Sequence, residues 1–281
     1  MIEKIKLEIK KRKLIFGFIL AVKNIPHRWI WFFPYLHKRY KPALRIIGLD
    51  ITSGCNLSCY NCEASCRQAP TNEYMTLEQI EKFIRESIGL NWRWDKITLR
   101  GGEPTLYPNF FDVLKIIKQY KEFRPECDIG IISNGYGDKV NRVLENLPEW
   151  VSVVVAQKSG PSASINYGSY NVAPCDLRRF HSADFSKGCW RSEICNIGLS
   201  RYGYYPCSPG ANVDRVFGFD VGIKKLSQVN SETLSNQMKI LCRYCGHYKE
   251  PNEVVLKEKM SRAWKDAYKK YKGGKPKLKL Y

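Results

Sequence analysis

Apolar positions in the middle of the chain recur with two periods, which predicts strands and helices in alternation. Short apolar runs typical of buried strands cover residues 46–52, 96–100, 128–133 and 150–156. Helical spacing covers residues 76–87, 109–123 and 139–147. The first of these helices would begin at a capping box formed by Thr76 and Gln79. Such alternation predicts an α/β fold with a parallel sheet and right-handed crossovers.

The pattern changes after residue 156. Residues 157–188 are rich in Gly, Pro, Ser and Asn, which indicates a long loop or linker. Residues 189–250 carry several cysteines and few helix signals, whereas residues 254–273 predict a basic helix and residues 273–281 a frayed tail. We therefore divide the chain into an N-terminal extension, a core, a small cysteine-rich α+β module and a C-terminal helix with its tail, at residues 1–45, 46–188, 189–250 and 251–281.

The net charge of +19 is concentrated at the two ends of the chain. Residues 1–45 contribute +10 and residues 254–281 contribute +8, whereas residues 46–253 contribute +1. An excess of Lys and Arg favours acidic partners such as a lipid surface or a nucleic acid. Because the middle is nearly neutral, the net charge says little about the substrate of a site there.

The N-terminal extension combines basic, apolar and aromatic stretches. An apolar run at residues 14–22 follows a basic stretch, but no small-residue cleavage site follows it and nine residues are too few to span a bilayer. Aromatic residues mixed with Arg and Lys at residues 27–35 are typical of a membrane interface. The same aromatics would also suit packing against the core or a protein partner. We expect a cytoplasmic protein, with peripheral contact to an anionic membrane as one alternative.

Cysteine usage favours a metal protein. The eleven cysteines are an odd number in a long chain, which argues against a secreted disulfide framework. Cys55, Cys59 and Cys62 follow the first predicted strand at C-x3-C-x2-C spacing. Three thiolates on one short loop can hold three corners of an iron–sulfur cube and leave the fourth iron open to a small molecule. A structural zinc knuckle is the alternative, although zinc sites usually use paired C-x2-C or C-x4-C halves.

A glycine turn follows the second predicted strand. Its residues are Gly101, Gly102, Glu103 and Pro104. The two glycines would let a ligand approach the backbone closely, and the carboxylate of Glu103 suits a cationic amine. Taken alone, the turn would be read as an ordinary β-to-α loop.

The two motifs together resemble those of the radical S-adenosylmethionine (SAM) superfamily, over residues 46–156. The resemblance implies a partial, open (βα)6 barrel of the TIM type, with both motifs at the carboxyl ends of strands. It implies a [4Fe–4S] cluster on the cysteine triad and binding of the SAM amino group at the glycine turn. It also implies that SAM is cleaved reductively, with electrons from a donor such as flavodoxin or ferredoxin, to a 5′-deoxyadenosyl radical that removes hydrogen from a substrate.

Other residues near the motifs are candidates for the same site. Ser133 and Asn134 resemble a Ser/Thr-Asn-Gly stretch of the family that suits the ribose and carboxylate of SAM, although an ordinary Asn-Gly turn is the alternative. Asn61 stands where the family usually has an aromatic residue beside the adenine, so backbone contact is expected there rather than stacking. Cys66 is expected to be a buried thiol rather than a ligand, and Lys158 is a candidate contact of SAM or substrate.

A second set of cysteines lies in the module at residues 189–250. Its candidate ligands are Cys189, Cys207, Cys242 and Cys245, with Cys195 competing with Cys189 for the first position. The set resembles the twitch module, a shortened SPASM domain, in which four cysteines fully ligate an auxiliary [4Fe–4S] cluster. A zinc ribbon is the alternative, because a tetrahedron of four thiolates suits zinc equally well.

The loop between the core and the module holds further candidates. Cys175 is expected to be a structural thiol, with hydrogen-atom donation to a product radical as the alternative. Four polar side chains that follow it would suit substrate binding: Asp176, Arg178, Arg179 and His181.

We expect a radical SAM enzyme that completes a net oxidation with its auxiliary cluster. The expected substrate is a small or membrane-linked metabolite, such as a sugar-like molecule, or a peptide. Twitch and SPASM relatives cover several of these classes, and the lack of a recognisable leader-binding domain favours the first two. An RNA-modifying radical enzyme is the alternative, with its basic ends holding phosphates. A non-catalytic scaffold with zinc in both sites is a remote third.

Overall fold

Six strands form one open sheet in this computed structural model, which describes residues 38–156, 170–194, 196–248 and 258–281. The strands are β1 (Ala43–Thr52), β2 (Lys96–Gly101), β3 (Asp128–Ser133), β4 (Val151–Val155), β5 (Asn196–Ser200) and β6 (Gly203–Tyr205). Their order across the sheet is β4-β3-β2-β1-β5-β6. Every neighbouring pair is parallel except β5 and β6, which form an antiparallel hairpin.

Seven α-helices of this part of the chain accompany the sheet. They are α1 (Leu77–Gly89), α2 (Phe110–Phe123), α3 (Asp138–Glu145), α4 (Trp190–Ile194), α5 (Ser208–Phe217), α6 (Ser231–Leu241) and α7 (Arg262–Gly273). None of the helices in the described ranges has the length and apolar content that crossing a membrane requires.

The predicted alternation over residues 46–156 is confirmed, with element ends within one to three residues of the prediction. The capping box at the start of α1 is present: the Gln79 N–H donates to Thr76 Oγ1 at 3.3 Å, and the Thr76 N–H donates to Gln79 Oε1 at 3.0 Å. These bonds satisfy two backbone donors that the first helical turn leaves without intrahelical partners.

The two faces of β1 have different roles. Ile47, Leu49 and Ile51 are fully buried in the core that α1 and α2 cover, and each contributes about 1.5–3 kcal/mol by leaving water. The intervening positions, Gly48 and Asp50, lie on the opposite face because side chains alternate along a strand. The first turn of α5 packs there, since a Cβ added to Gly48 would lie 3.3 Å from the Ser208 hydroxyl.

The sheet differs in its order from six consecutive βα units. Three βα units and a fourth strand run from β1 to β4, as predicted, but β5 then pairs with the other edge of β1. Ile47 lies opposite Ile197, and Leu49 lies opposite Leu199. The coarser prediction of an α/β fold with a mostly parallel sheet is confirmed, and the sheet does not close into a barrel.

The prediction of a frayed tail is wrong. Tyr281 is buried, its N–H donates to the Arg201 carbonyl at 2.9 Å, and its hydroxyl lies 3.1 Å from that of Tyr204 and donates to Glu86 at 3.0 Å. The aromatic ring of Tyr281 offers enough apolar surface to fix the end of this basic segment. The charge of the segment had suggested only a solvated tail.

The cysteine-rich module contains more helix than its sequence indicates. Helix α5 opens with Ser, Pro and Gly, which are weak helix formers, so propensity alone did not predict it. It ends at Gly218, whose φ of 79° is the left-handed conformation that commonly terminates helices. The predicted basic helix is present as α7, while most of the predicted N-terminal extension lies outside the described residues.

Candidate functional site

The loops that follow β1, β2 and β3 meet at the carboxyl edge of the sheet, where they enclose a cavity of about 70 Å³. The wall carries the triad thiols together with Cys66 and Glu63 of the same loop, two glycines of the turn, one residue of the loop after β3, and polar groups of β1, β2 and α5. These residues are Cys55, Cys59, Cys62, Cys66, Glu63, Gly101, Gly102, Asn134, Asp50, Arg100, Ser208 and Asn212. The structure therefore brings the two sequence motifs to one place.

The glycines let the backbone of the cysteine loop lie directly against the turn. The Gly102 N–H donates to the Thr52 carbonyl, and the Glu103 N–H donates to the Gly54 carbonyl, both at 2.8 Å. A Cβ on Gly102 would lie 2.1 Å from the Gly54 carbonyl oxygen, and Gly101 has a φ of 138° that side chains rarely allow. Close approach was predicted for a ligand, but here it joins β2 to the cysteine loop.

Glu103 is fully buried and joins the second loop to the third. Its Oε1 accepts hydrogen bonds from the Thr105 N–H (3.2 Å), the Thr105 hydroxyl (2.8 Å) and the Ser133 hydroxyl (2.9 Å). Its Oε2 accepts one bond, from the Asn134 N–H at 2.7 Å. The first of these bonds caps the short 3-10 turn that begins at Pro104. The carboxylate is thus satisfied by the protein, with spare acceptor capacity on Oε2.

Ser133 and Asn134 are also committed to the loops. Besides its bond to Glu103, the Ser133 hydroxyl accepts the Gly135 N–H at 3.1 Å. The Asn134 amide nitrogen donates to Asn56 Oδ1 at 2.9 Å and lies 3.7 Å from the Cys55 sulfur. Of the two residues, Asn134 reaches the cavity wall.

Asn56 is a residue of this site that the sequence did not single out. It accepts a bond from Asn134 and donates to the Tyr136 carbonyl at 2.6 Å, so it connects the cysteine loop to the loop after β3. Its position beside Cys55 was the only signal, and the partners that give it a role are about eighty residues away.

Asn61 has a structural role on the side of the cysteine loop. It is fully buried, has a left-handed φ of 51°, and accepts a hydrogen bond from the Lys259 N–H at 3.0 Å. Its side chain does not line the cavity. The expected backbone contact with adenine stays a prediction, while the side chain secures the loop to residues beside α7.

The thiols around the cavity influence one another. Hydrogen bonding with Cys66 lowers the pKa of Cys55 and lowers that of Cys62 to about 7. The same contacts with Cys55 and Cys62, followed by burial, raise the pKa of Cys66 well above its usual value. Metal ligands must be thiolates, so two lowered pKa values on one cavity fit a site for a cationic or iron-containing group.

The four cysteines predicted for the second site line a single pocket, together with apolar side chains and with Arg191, Ser192 and His247. Cys207 is the N-cap of α5 and Cys242 is the C-cap of α6, so the helix ends position both. Burial raises the pKa values of Cys242 and Cys245. The competing Cys195 lies outside the described residues. Across the described ranges, no three His, Cys, Asp or Glu side chains are grouped so that they could hold a metal ion.

A buried ion pair connects the two cysteine sites. Glu63 lines the first cavity, whereas Arg191 and His247 line the second. Glu63 Oε1 lies 2.8 Å from Arg191 Nη1 and 2.9 Å from His247 Nε2. Burial acts to raise the pKa of Glu63, but its interactions with His247 and Arg191 outweigh burial and hold this pKa well below its usual range.

The candidates in the connecting loop do not reach the first cavity. Asp176 accepts a hydrogen bond from the Ala263 N–H at 2.8 Å near the start of α7, and its neighbours Arg178, Arg179 and His181 are exposed. Burial raises the pKa of Cys175, and its N–H donates to the Arg243 carbonyl at 3.0 Å. Lys158 lies outside the described residues. Substrate binding by the residues of this loop stays a prediction.

Comparison with known proteins identifies the segment that carries the first site. Residues 49–161 match the family described as the Radical SAM superfamily. A GTP 3′,8-cyclase of Nautilia profundicola is 28% identical over 137 residues, which are 43% of this chain and 41% of that protein. A probable GTP 3′,8-cyclase of Methanocaldococcus jannaschii is 34% identical over 111 residues, which are 40% and 33% of the two chains.

The chain spans about a third to two-fifths of the length of these curated relatives. Among solved structures, BtrN in complex with AdoMet and 2-DOIA covers 76% of this chain and 97% of its own, at 13% identity and a TM-score of 0.44.

Proposed function

We propose, from the radical SAM domain at residues 49–161, that this protein is a radical SAM enzyme. The observation that carries the proposal is the meeting of the triad thiols, the glycine turn and Asn134 around one cavity. Cys55, Cys59 and Cys62 would hold a [4Fe–4S] cluster. When bound, that cluster and SAM supply a 5′-deoxyadenosyl radical that removes a hydrogen atom from a substrate C–H bond.

The protein's own part is to hold the reacting groups in place and exclude water. The glycine turn would receive the methionine end of SAM, and this is supported by Gly101 and Gly102, which line the cavity beside the cysteine loop. Glu103 is fully buried behind them and does not line the cavity, but its Oε2 accepts one hydrogen bond from the protein and would have capacity for the SAM ammonium group. Asn134 donates to Asn56 and lies beside the Cys55 sulfur, so these two residues would fix the position of Cys55 relative to the glycine turn.

We extend the proposal to an auxiliary [4Fe–4S] cluster on Cys189, Cys207, Cys242 and Cys245. Its support is that all four thiols line one pocket and that the first turn of α5 separates this pocket from the first cavity, because Pro209 lines both. Transfer of a second electron from the substrate radical to this site would make the net reaction a two-electron oxidation.

The wall of the first cavity favours a small substrate with hydroxyl or amine groups. Its charged residues are Asp50, Glu63 and Arg100, and Glu63 is already paired with Arg191 and His247. Asp50 Oδ2 and the Ser208 hydroxyl are buried with no hydrogen bond of ordinary geometry among the described residues, although the two groups interact with each other. Burying a polar group without a hydrogen bond costs free energy. A hydroxyl or amine of a sugar-like substrate could form hydrogen bonds with both Asp50 and Ser208.

GTP is the second candidate substrate, because the curated relatives are named GTP 3′,8-cyclases. A triphosphate needs several cations, and the described wall of the first cavity offers Arg100 alone. Binding measurements with SAM present distinguish the two: a saturable GTP affinity in the micromolar range would favour cyclisation over oxidation of a neutral metabolite.

The test is anaerobic reconstitution followed by reduction in the presence of SAM. We expect about eight irons per chain in the wild type and about four in a triple variant with Cys55, Cys59 and Cys62 changed to Ala. The wild type should form 5′-deoxyadenosine and the triple variant should not. A cluster-loaded wild type that forms none with several reductants would refute the proposal, and about four irons falling to none would remove the auxiliary cluster. Cys127→Ala, far from both sites in the chain, is the control.

A further inference from the structure

We infer that Cys66 is a fourth, exchangeable ligand, which binds the open iron of the first cluster when SAM is absent and leaves it when SAM binds. This inference rests on the proposed function, because it needs a cluster on the triad. It departs from the expectation that Cys66 is a buried thiol rather than a ligand, because the side chain is partly exposed and lines the same cavity as the triad.

The Cys66 sulfur lies in the first cavity with the triad. Cys55, Cys59, Cys62 and Cys66 all line this cavity. Cys66 also lies against the glycine turn, because a Cβ on Gly102 would be 3.1 Å from its sulfur. Cys66 therefore stands between the triad and the turn proposed to receive the methionine end of SAM. That is where a ligand to the fourth iron has to be.

The cysteine loop presents Cys62 and Cys66 in the same way. Each follows a buried residue with a left-handed backbone: Asn61 with a φ of 51° and Ser65 with a φ of 49°. Each of these residues is secured to the C-terminal part of the chain. Asn61 accepts the Lys259 N–H, and the Ser65 hydroxyl lies 2.9 Å from that of Tyr268. Left-handed conformations of such residues cost free energy, so a loop that uses two of them places both following thiols firmly.

The exchange is balanced in protons and needs no electrons. Without SAM, the Cys66 thiol gives its proton to solvent and its sulfur bonds the fourth iron. When SAM arrives, its amino nitrogen and carboxylate oxygen take the place of the sulfur, and the thiolate recovers a proton from solvent. The enzyme would thus rest with all four irons covered, which protects the cluster from loss of its open corner.

The test compares wild type, Cys66→Ala, Cys66→Ser and the control Cys127→Ala after anaerobic reconstitution of the full chain. Each protein is treated with ferricyanide, which removes one electron and allows a four-iron cluster to lose an iron. Released iron and the electron paramagnetic resonance signal of three-iron clusters are measured with and without SAM. Without SAM, both Cys66 variants should release iron about tenfold faster than wild type and control, and SAM should restore protection.

Binding of SAM gives an independent readout. Removing a competing thiolate should lower the apparent Kd for SAM by about tenfold in both Cys66 variants, because the binding-competent state is no longer a minor one. Equal iron release and equal Kd values in wild type and correctly folded Cys66→Ser would overturn the inference and leave the proposed function intact. A wild type that loads no iron on the triad would overturn both.

Discussion

At the scale of single residues, Gly102 shows how backbone packing restricts this site. Gly102→Ala would place a methyl group 2.1 Å from a carbonyl oxygen of the cysteine loop, and backbone cannot give way there as a side chain could. We expect the free energy of unfolding to fall by about 2 kcal/mol or more and iron loading to decrease. Gly89→Ala is the matched control, because nothing lies within 4 Å of its added methyl group.

Chemical denaturation of both glycine variants, together with iron content, checks this prediction. Gly89→Ala lies at the end of α1 and should be neutral or more stable by about 0.5 kcal/mol. If both variants unfold at the same denaturant concentration as wild type, the cysteine loop can move away from a methyl group at Gly102, and the close approach of the two loops does not restrict this position.

Asp50 makes stability depend on pH in the direction opposite to that of a typical carboxylate. Burial raises its pKa to about 6, although Arg100 acts to lower it. The folded state therefore keeps a proton on Asp50 between about pH 4 and 6 that the unfolded state has lost, so stability falls as pH rises through this range. Relative to wild type, Asp50→Asn should gain on the order of 1 kcal/mol between pH 5 and 7.5. Urea unfolding of the metal-free proteins measures this, and parallel pH curves would contradict it.

The sequence revealed the residues of this site that carry chemistry, but not the residues that hold them. Thiol spacing and the glycine turn are local patterns, so Cys55, Cys59, Cys62 and residues 101–104 could be read directly. Asn56 and Ser65 act through partners tens to hundreds of residues away, on loops that only the fold brings together. No pattern in the neighbouring sequence indicates the roles of Asn56 and Ser65. Likewise, no local pattern indicates that Cys66 lies beside Gly102.

At the scale of elements, periodicity predicted the strands and helices that have a regular apolar face. It missed the segments whose structure depends on a few individual contacts. The strands and helices over residues 46–156 each bury a periodic face, so their pattern was sufficient. Helix α5 begins with poor helix formers and exists because it packs on β1 and β5. The tail after α7 is held by the buried ring of Tyr281 and by hydrogen bonds of its backbone to Arg201, Asp220 and Lys224. Contacts of this kind leave no periodic pattern in the sequence.

The tail should accordingly contribute to stability. Tyr281→Ala would remove a buried ring and two hydroxyl contacts, to Tyr204 and Glu86, and should lower the free energy of unfolding by about 3 kcal/mol. Tyr281→Phe keeps the ring and isolates the hydroxyl contribution of about 1 kcal/mol. Thermal unfolding with both variants measures the difference. An unchanged Tm for Tyr281→Ala would show that the tail is frayed after all.

At the scale of the whole molecule, we expect Glu63 to couple the two cysteine sites, because it lines the first cavity and contacts Arg191 and His247 of the second. Glu63→Gln would leave Arg191 and His247 without their carboxylate in a mostly buried location, and we expect a loss of about 3 kcal/mol. Both sites should load less iron, since Glu63 follows Cys62, and Arg191 and His247 each lie two residues from a second-site cysteine.

The control for this pair is Glu122→Gln, whose contact with Lys118 is exposed and should be worth less than about 0.5 kcal/mol. Denaturation and iron analysis of both variants distinguish a local from a shared effect. Loss of iron from the first site alone would show that the ion pair does not couple the sites.

The order of strands in the sheet also has a consequence for how the protein is made. Strand β1, which leads into the cysteine loop, lies between β2 and β5, and β5 begins about 150 residues later in the chain. During synthesis, both edges of β1 are therefore unpaired when it leaves the ribosome, and the edge that pairs with β5 stays unpaired long after β2 has emerged. The sheet that supports the cysteine loop is complete only when residue 205 has emerged. For the proposed clusters, we expect iron and sulfide to be inserted after β5 and β6 have joined the sheet.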